Sequence, residues 1–249
     1  MNSVSIIMPL KNGMPFLEET LDSIKNQTFS NWELLIIDAN SIDGSLELIK
    51  SYNERRFKVI TKDLGPGLAR NYGISVAEGE YIAFVDADDV WDQEKLDIQL
   101  AAMINNNFLF TYTNYSWIDN TANFIGKNKY FISKMNFHKF FSKRIIVMSS
   151  VMVKKNILKD LNFNDYDGYA EDLFFHGKIL QKGIEAIGID KYLLSYRKHE
   201  KSRSRDIISN QIAVWKLYRN QFNLSFLKSI LVYSEYILDV AYRRLFKIN

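Results

Sequence analysis

The sequence predicts an α/β protein: a mostly parallel sheet with helices on both faces, followed by a helical C-terminal extension. Three observations carry this reading. Four strand-length apolar runs fall within the first hundred residues, helical spacing fills the gaps between them, and the last forty or so residues keep helical spacing throughout.

The strand runs are Val4–Met8, Leu34–Ile37, Phe57–Ile60 and Tyr81–Val85, rich in Ile, Val and Phe. Between the first two, Phe16, Leu17, Leu21 and Ile24 recur at helical spacing. Between the next two, Leu46, Ile49 and Tyr52 do the same, with Asp43 or Ser45 suited to cap the helix. The β-α-β-α-β order demands crossovers and hence parallel strands. WDQEKLDIQL reads as a further helix. Phe108–Ile118, with alternating aromatics, Ile145–Val153 and Gly183–Asp190 read as strands, and 171–182 as a helix. From about 206 onward the chain is helical. Leu227, Ile230, Leu231, Ile237, Leu238, Ala241 and Leu245 form a stripe, with Lys228, Arg243, Arg244 and Lys247 outside or beside it. The organisation expected is one domain in two halves, 1–100 and 101–205, and a helical extension over 206–249.

The 249 residues, 47% hydrophobic and 24% charged, suffice for a substantial core. The absence of cysteine excludes disulfides and thiolate metal sites, and suits a reducing compartment. MNSVSIIMPLKNG has neither a basic start nor an apolar stretch of signal-peptide length. No window holds eighteen uninterrupted apolar residues, so a spanning helix is not expected. The expected location is the cytoplasm, at the inner face of the membrane if the tail binds lipid. Charge is uneven. Residues 1–196 hold 21 Lys and Arg against 25 Asp and Glu, whereas 197–249 hold 11 against 4. A basic tail on an acidic body points to an anionic partner. Packing on the body or pairing in a homo-oligomer would occupy the tail equally well.

Ligands of open parallel sheets bind outside the carboxyl ends of the strands. LLIID delivers Asp38 there and YIAFVD delivers Asp86. In AFVDADD, Asp86 and Asp88 would project to one side of an extended chain while Ala87 turns away. Two repelling carboxylates suit a hard divalent cation, and magnesium sites typically add substrate phosphates to such a pair. DADD could instead cap the helix that follows. In DLGPGLARNYG, Gly65 and Gly67 permit close backbone approach, Arg70 could neutralise phosphate and Asn71 adds a polar side chain. An ordinary strand-to-helix loop explains the same string. Pro9-Leu10-Lys11-Asn12-Gly13 turns at the same rim. Tyr169-Ala170-Glu171-Asp172 opens a helix, where the dipole favours ionised carboxylates, as a general base needs and as plain helix stability also explains. His199, in Tyr196-Arg197-Lys198-His199, means little alone.

Taken in order, VSIIMPLKNGMPFLEETLDSIKNQTFSNWELLIID, GLARNYGI, AEGEYIAFVDADDVW, SSVMVKKNIL, AEDLFFHGKILQKG and YRKH resemble the landmarks of the family 2 inverting glycosyltransferases, over Val4 to about Ser204. The resemblance implies a glycosyltransferase A-type fold with a Rossmann-like sheet, the nucleotide sugar bound by the half over 1–100 and the acceptor by the half over 101–205. It implies transfer of a sugar from a nucleoside-diphosphate sugar, with Mn²⁺ or Mg²⁺, to a glycan or lipid-linked acceptor in bacterial surface polysaccharide synthesis. By position it places Pro9, Lys11, Asn12 and Asp38 in the nucleotide pocket, and Arg70 near the diphosphate with Asn71 beside it. Asp86 and Ala87 would lie at the ribose or the metal's waters, and Asp88 on the metal with His199 close by. Asp172 would be the base, with Glu171 next to it. Two departures stand out. A second aspartate that commonly reads uracil is here Ala39, followed by Asn40, and no Q-x-x-R-W motif of processive synthases occurs. A nucleotidyltransferase would carry a glycine-rich signature with lysine after the first strand, which PLKNG fits poorly. A non-catalytic nucleotide-sugar-binding module shares the site features without the chemistry. Scattered basic residues form no nucleic-acid patch.

Overall fold

The computed structural model describes residues 2–163, 171–199 and 207–246. The expected first half forms as β1 (Val4–Leu10), α1 (Leu17–Lys25), β2 (Trp32–Asp38), α2 (Ser45–Ser51), β3 (Phe57–Thr61), α3 (Pro66–Val76) and β4 (Tyr81–Phe84). β5 (Val90–Trp91), α4 (Lys95–Asn106), β6 (Phe110–Ile118), β7 (Phe124–Lys127), β8 (Lys134–Met135), α5 (Phe137–Lys143), β9 (Val151–Lys154), α6 (Glu171–Gln181) and β10 (Ala186–Arg197) follow. The chain ends in α7 (Ile207–Lys216), a π-helical turn (Leu217–Gln221) and α8 (Phe226–Leu245).

The strands lie in one sheet of order β3-β2-β1-β4-β9-β6-β10-β5, with β7 on β6 and β8 on β10. β1 through β4 are mutually parallel, as the crossover helices require. Beyond β4 the sheet becomes mixed, because β9 enters antiparallel to both β4 and β6. Two reversals restore the original direction. β6 and its parallel neighbour β10 therefore point the same way as β4, and the end of β10 arrives at the same rim as the ends of β1, β2 and β4.

Alternation along the strands divides the core between two faces. Ile7, Leu35, Ile37, Ile82 and Phe84 face α3, α5, α6 and the C-terminal helices. Val4, Ile6, Met8, Leu34 and Ile36 face α1, α2 and α4. Each face is sealed by helical apolar residues: Leu17, Leu21 and Ile24 from α1 on one, Phe174, Phe175 and Ile179 from α6 on the other.

Three expectations are corrected. Ile145–Val153 is not one strand. Its first part is loop and a 3-10 turn (Met148–Ser150), buried against the core rather than paired, and only Val151–Lys154 joins the sheet. Gly65-Pro66-Gly67 is no tight ligand loop. Pro66 occupies the first turn of α3, where a missing N–H costs nothing, and Gly67 is already a buried helical residue. The DADD stretch does not cap α4, which starts at Lys95 with Asp92 Oδ1 accepting from the Glu94 N–H.

Candidate active site

The rim is assembled from loops that hold one another. After β1, the Asn12 N–H donates to Ser41 Oγ at 2.8 Å and Asn12 Oδ1 accepts from the Ile42 N–H at 2.9 Å. The Gly13 and Met14 N–H groups donate to Ser45 Oγ and Asp43 Oδ2. Asp38, fully buried at the end of β2, accepts the Ser41 N–H with both carboxylate oxygens. Pro9 pairs with Ile37 inside the sheet, while Lys11 is exposed at the mouth. The expected pocket residues Pro9, Lys11, Asn12 and Asp38 thus share one corner.

Asp86 to Asp89 form a turn, closed by the Asp89 N–H donating to the Asp86 carbonyl, not the extended run expected. Asp86 and Asp88 nevertheless both reach the surface, their side chains 35% and 34% exposed. Ala87 packs on the core face that α1 and α4 cover. Asp89 points inward, fully buried, and accepts the Arg197 N–H at 3.0 Å. Burial, together with the charge of Asp86, holds the Asp88 carboxyl above its ordinary range, partly offset by His199. Burial first, then Asp88 and Asp86, push Asp89 well above it. Negative charge is in excess at this corner.

Arg70 is where the structure departs most from expectation. It is no free phosphate ligand: its side chain is 1% exposed and turned into a carboxylate cluster. Nη2 reaches Asp86 Oδ1 at 2.7 Å, and Nη1 lies 3.1 Å from Asp172 Oδ1 and 3.7 Å from Glu171 Oε1. Burial works against its charge, but the carboxylates of Asp172, Asp86 and Glu171 outweigh it and raise its pKa. Asn71 is likewise corrected. Both ends of its amide are used on the backbone of Phe163, Nδ2 on the carbonyl at 2.7 Å and Oδ1 on the N–H at 2.6 Å, so it clamps a chain segment instead of binding donor.

At the start of α6, Glu171 is buried and Asp172 is 38% exposed. Tyr169 and Ala170, read with them, lie outside the described residues. His199, just past β10, places Nε2 2.8 Å from Asp88 Oδ2. Two positioning residues went unnoticed in the sequence. Arg197, buried beneath the turn, donates through Nε to the Asp88 carbonyl and through Nη1 to the Asp119 carbonyl, and its third nitrogen pairs with Glu19. Ser149 Oγ accepts the Asp86 N–H at 3.0 Å, in a 3-10 turn pinned by Trp91 Nε1 and Gln99 Nε2. The signals were a strand-ending arginine and the Ser149-Ser150 pair, neither distinctive by itself.

Could this corner hold a divalent cation? Among the described residues no group of three or more Asp, Glu and His is placed to hold a metal ion by itself. Asp88 and His199, 2.8 Å apart, offer an oxygen and a nitrogen ligand with Asp86 two residues away, a partial set that phosphate and water would have to complete. The surplus charge that lifts Asp88 is what a cation would neutralise. The residues fit.

The family model described as "Glycosyl transferase family 2" matches residues 5–161. The chain belongs to that family, and it is a glycosyltransferase. A Bacillus subtilis protein named as a putative teichuronic acid biosynthesis glycosyltransferase is 27% identical over 97% of each chain. An Escherichia coli protein named UDP-Glc:alpha-D-GlcNAc-diphosphoundecaprenol beta-1,3-glucosyltransferase is 32% identical, over 81% of this chain and 79% of its own. Among solved structures, S. aureus TarS 1-349 in complex with UDP-GlcNAc superposes with a TM-score of 0.75 at 20% identity, covering 96% of this chain and 71% of that one. A mannosyltransferase from Pyrobaculum calidifontis, in complex with GDP-Man and Mn²⁺, gives 0.62 at 20% identity over 88% and 63%. At that identity the structural likeness concerns the fold, and it agrees with a glycosyltransferase A-type architecture.

Proposed function

We infer that this glycosyltransferase moves one sugar, with inversion, from a nucleoside-diphosphate sugar, UDP-linked by preference, to a hydroxyl of a glycan or lipid-linked acceptor in surface polysaccharide synthesis. The observation that carries this reading is the Arg70 bridge. It ties Asp86, at the donor end, to Asp172, the exposed carboxylate at the start of α6. One guanidinium thereby sets the spacing between the group that meets the donor and the group that meets the acceptor. Acceptor chemistry follows the Escherichia coli relative, whose name specifies a diphosphoundecaprenol acceptor.

Asp86 and Asp88, with His199, would hold Mn²⁺ or Mg²⁺. When bound, the cation supplies positive charge against the leaving diphosphate. Asp172 takes the proton from the acceptor hydroxyl as its oxygen bonds to the anomeric carbon, and the bond to the diphosphate breaks with its electron pair leaving on phosphate oxygen. Arg70, with Nη1 3.1 Å from Oδ1, aims Asp172. Glu171 is too buried to meet the acceptor and shares in positioning Arg70. Asn12 and Asp38 order the β1 and β2 loops against the nucleotide.

Asp172→Asn is expected to lower transfer by roughly 10²–10⁴-fold, the usual loss with a general base. Donor binding, read as a thermal shift with UDP-sugars and Mn²⁺, is expected to persist. Near wild-type turnover in this variant would remove Asp172 from the role and the reading with it.

A further inference from the structure

α8 carries its amphipathic pattern inverted. The side turned to the body holds Ser229, Val232 and Asp239, all buried. Asp239 is engaged there by Tyr130, Lys143 and Arg243. The opposite side is apolar and faces water, with Leu227, Leu238 and Leu245 exposed by 78%, 69% and 79%, and Ile230 and Leu231 about half exposed. At helical spacing these residues share one stripe along a helix of 20 residues, about 30 Å long. A soluble surface does not leave such a stripe uncovered without cause.

Charge selects what covers it. Lys228 and Arg244 flank the stripe, both exposed and, among the described residues, without an acidic partner. The two acidic residues of α8 are occupied, Asp239 as above and Glu235 with His138 Nε2 at 2.9 Å. A second copy meeting this stripe through its own would bring the same basic flanks and no unoccupied carboxylate of α8 to answer them. An anionic bilayer surface offers apolar depth along the stripe and negative charge at its flanks. No described helix is long and apolar enough to cross a membrane, so the geometry is one of lying in the interface. Lys247, read with the tail's basic residues, lies outside the described residues.

We propose that α8 docks the protein in the plane of an anionic lipid surface, with Leu227, Leu231, Leu238 and Leu245 inserted below the headgroups and Lys228 and Arg244 among them. This docking does not depend on the acceptor being lipid-linked. The test is co-sedimentation of the full chain with vesicles of phosphatidylcholine, alone or mixed with phosphatidylglycerol. The wild type is expected to pellet with the mixed vesicles and to be released by salt. Leu231→Glu/Leu238→Glu is expected to reduce the bound fraction by roughly tenfold or more. Its melting temperature and its UDP release with a soluble acceptor should stay unchanged, since neither leucine packs on the body. Lys228→Glu/Arg244→Glu should lose the preference for phosphatidylglycerol. A wild type that stays in the supernatant with both vesicle types overturns the proposal. So does equal pelleting of the leucine variant, or a dimer in sedimentation velocity that this variant turns into monomer. UDP release without vesicles reports on the transferase reading separately.

Discussion

Arg70 reaches two carboxylates that enter the site from positions 16 and 102 residues away in the chain. A single buried cation facing Asp86, Glu171 and Asp172 leaves repulsion behind if it is removed. Breaking a fully buried pair costs about 3–5 kcal/mol. Asp86 and Asp172 are each more than a third exposed, so solvent screening lowers the expectation for Arg70→Gln to about 2–4 kcal/mol in urea unfolding. Arg70→Lys should recover part of the stability but little activity, because an ammonium cannot fork between Asp86 and Asp172. Combined with Asp172→Asn, Arg70→Gln should cost less than the two changes summed; strict additivity would show that the residues do not interact. The sequence places a cation in GLARNYG but does not say which anions it meets. A phosphate and a cluster of distant carboxylates are equivalent partners on paper, and only the fold distinguishes them. His199 is the reverse case. An isolated histidine acquires meaning only because two antiparallel pairings bring the end of β10 back to Asp88.

α3 lies close enough to β1 that a Cβ built at Gly73 would stand 2.6 Å from Ile7 Cγ2 and 3.1 Å from its Cγ1. Ile7 is fully buried and β-branched, so it has little room to turn aside. Helix propensity alone would favour Gly73→Ala by about 1 kcal/mol. Overpacking of about 1–3 kcal/mol should offset or exceed that gain, and we expect net destabilisation by thermal melt. A raised melting point would mean that α3 can lift from the sheet at no cost. The same close packing explains which elements were readable. β1, β2 and β4 are buried on both faces, β3 is the partly exposed edge strand, and crossover helices separate all four, so each announces itself as an apolar run in a regular order. Ile145–Val153 is equally apolar, yet its first part is buried as loop and turn, because burial alone does not pair a backbone. β5 spans two residues, too few to leave a pattern. The antiparallel insertion of β9 between β4 and β6 depends on pairings about forty and seventy residues distant, which no local signal encodes. At the far end of the chain, periodicity reveals the α8 stripe but not its direction. Amphipathic helices ordinarily turn that stripe inward, and only the packing of Ser229 and Asp239 shows that this one does not.

The core face made by the sheet with α5 and α6 contains one residue that couples the whole molecule to pH. His176 is fully buried among Phe110, Phe140 and Phe175, and among the described residues neither ring nitrogen has a hydrogen-bond partner. Burial, with a smaller contribution from the charge of Arg70, lowers its pKa from the ordinary 6.5 to about 3. The unfolded chain therefore takes up a proton below pH 6.5 that the folded chain refuses. The stability contributed by keeping His176 neutral is complete above that value and declines as pH falls toward about 3. The slope is about 1.4 kcal/mol per pH unit, or roughly 2 kcal/mol lost by about pH 5. Lys95, also fully buried and lowered to about 7 by burial, titrates near the upper end of the same range, but equally with or without His176, so it cancels from a comparison of the two proteins. His176→Phe keeps a planar ring and removes the titration. Any cost of the larger ring applies equally at both pH values, so the difference between urea midpoints at about pH 7.5 and pH 5 isolates the protonation effect. The wild type is expected to lose roughly 2 kcal/mol more than the variant across that interval. Parallel losses in the two proteins would show that the imidazole finds a partner or water when charged, and that this core face admits solvent.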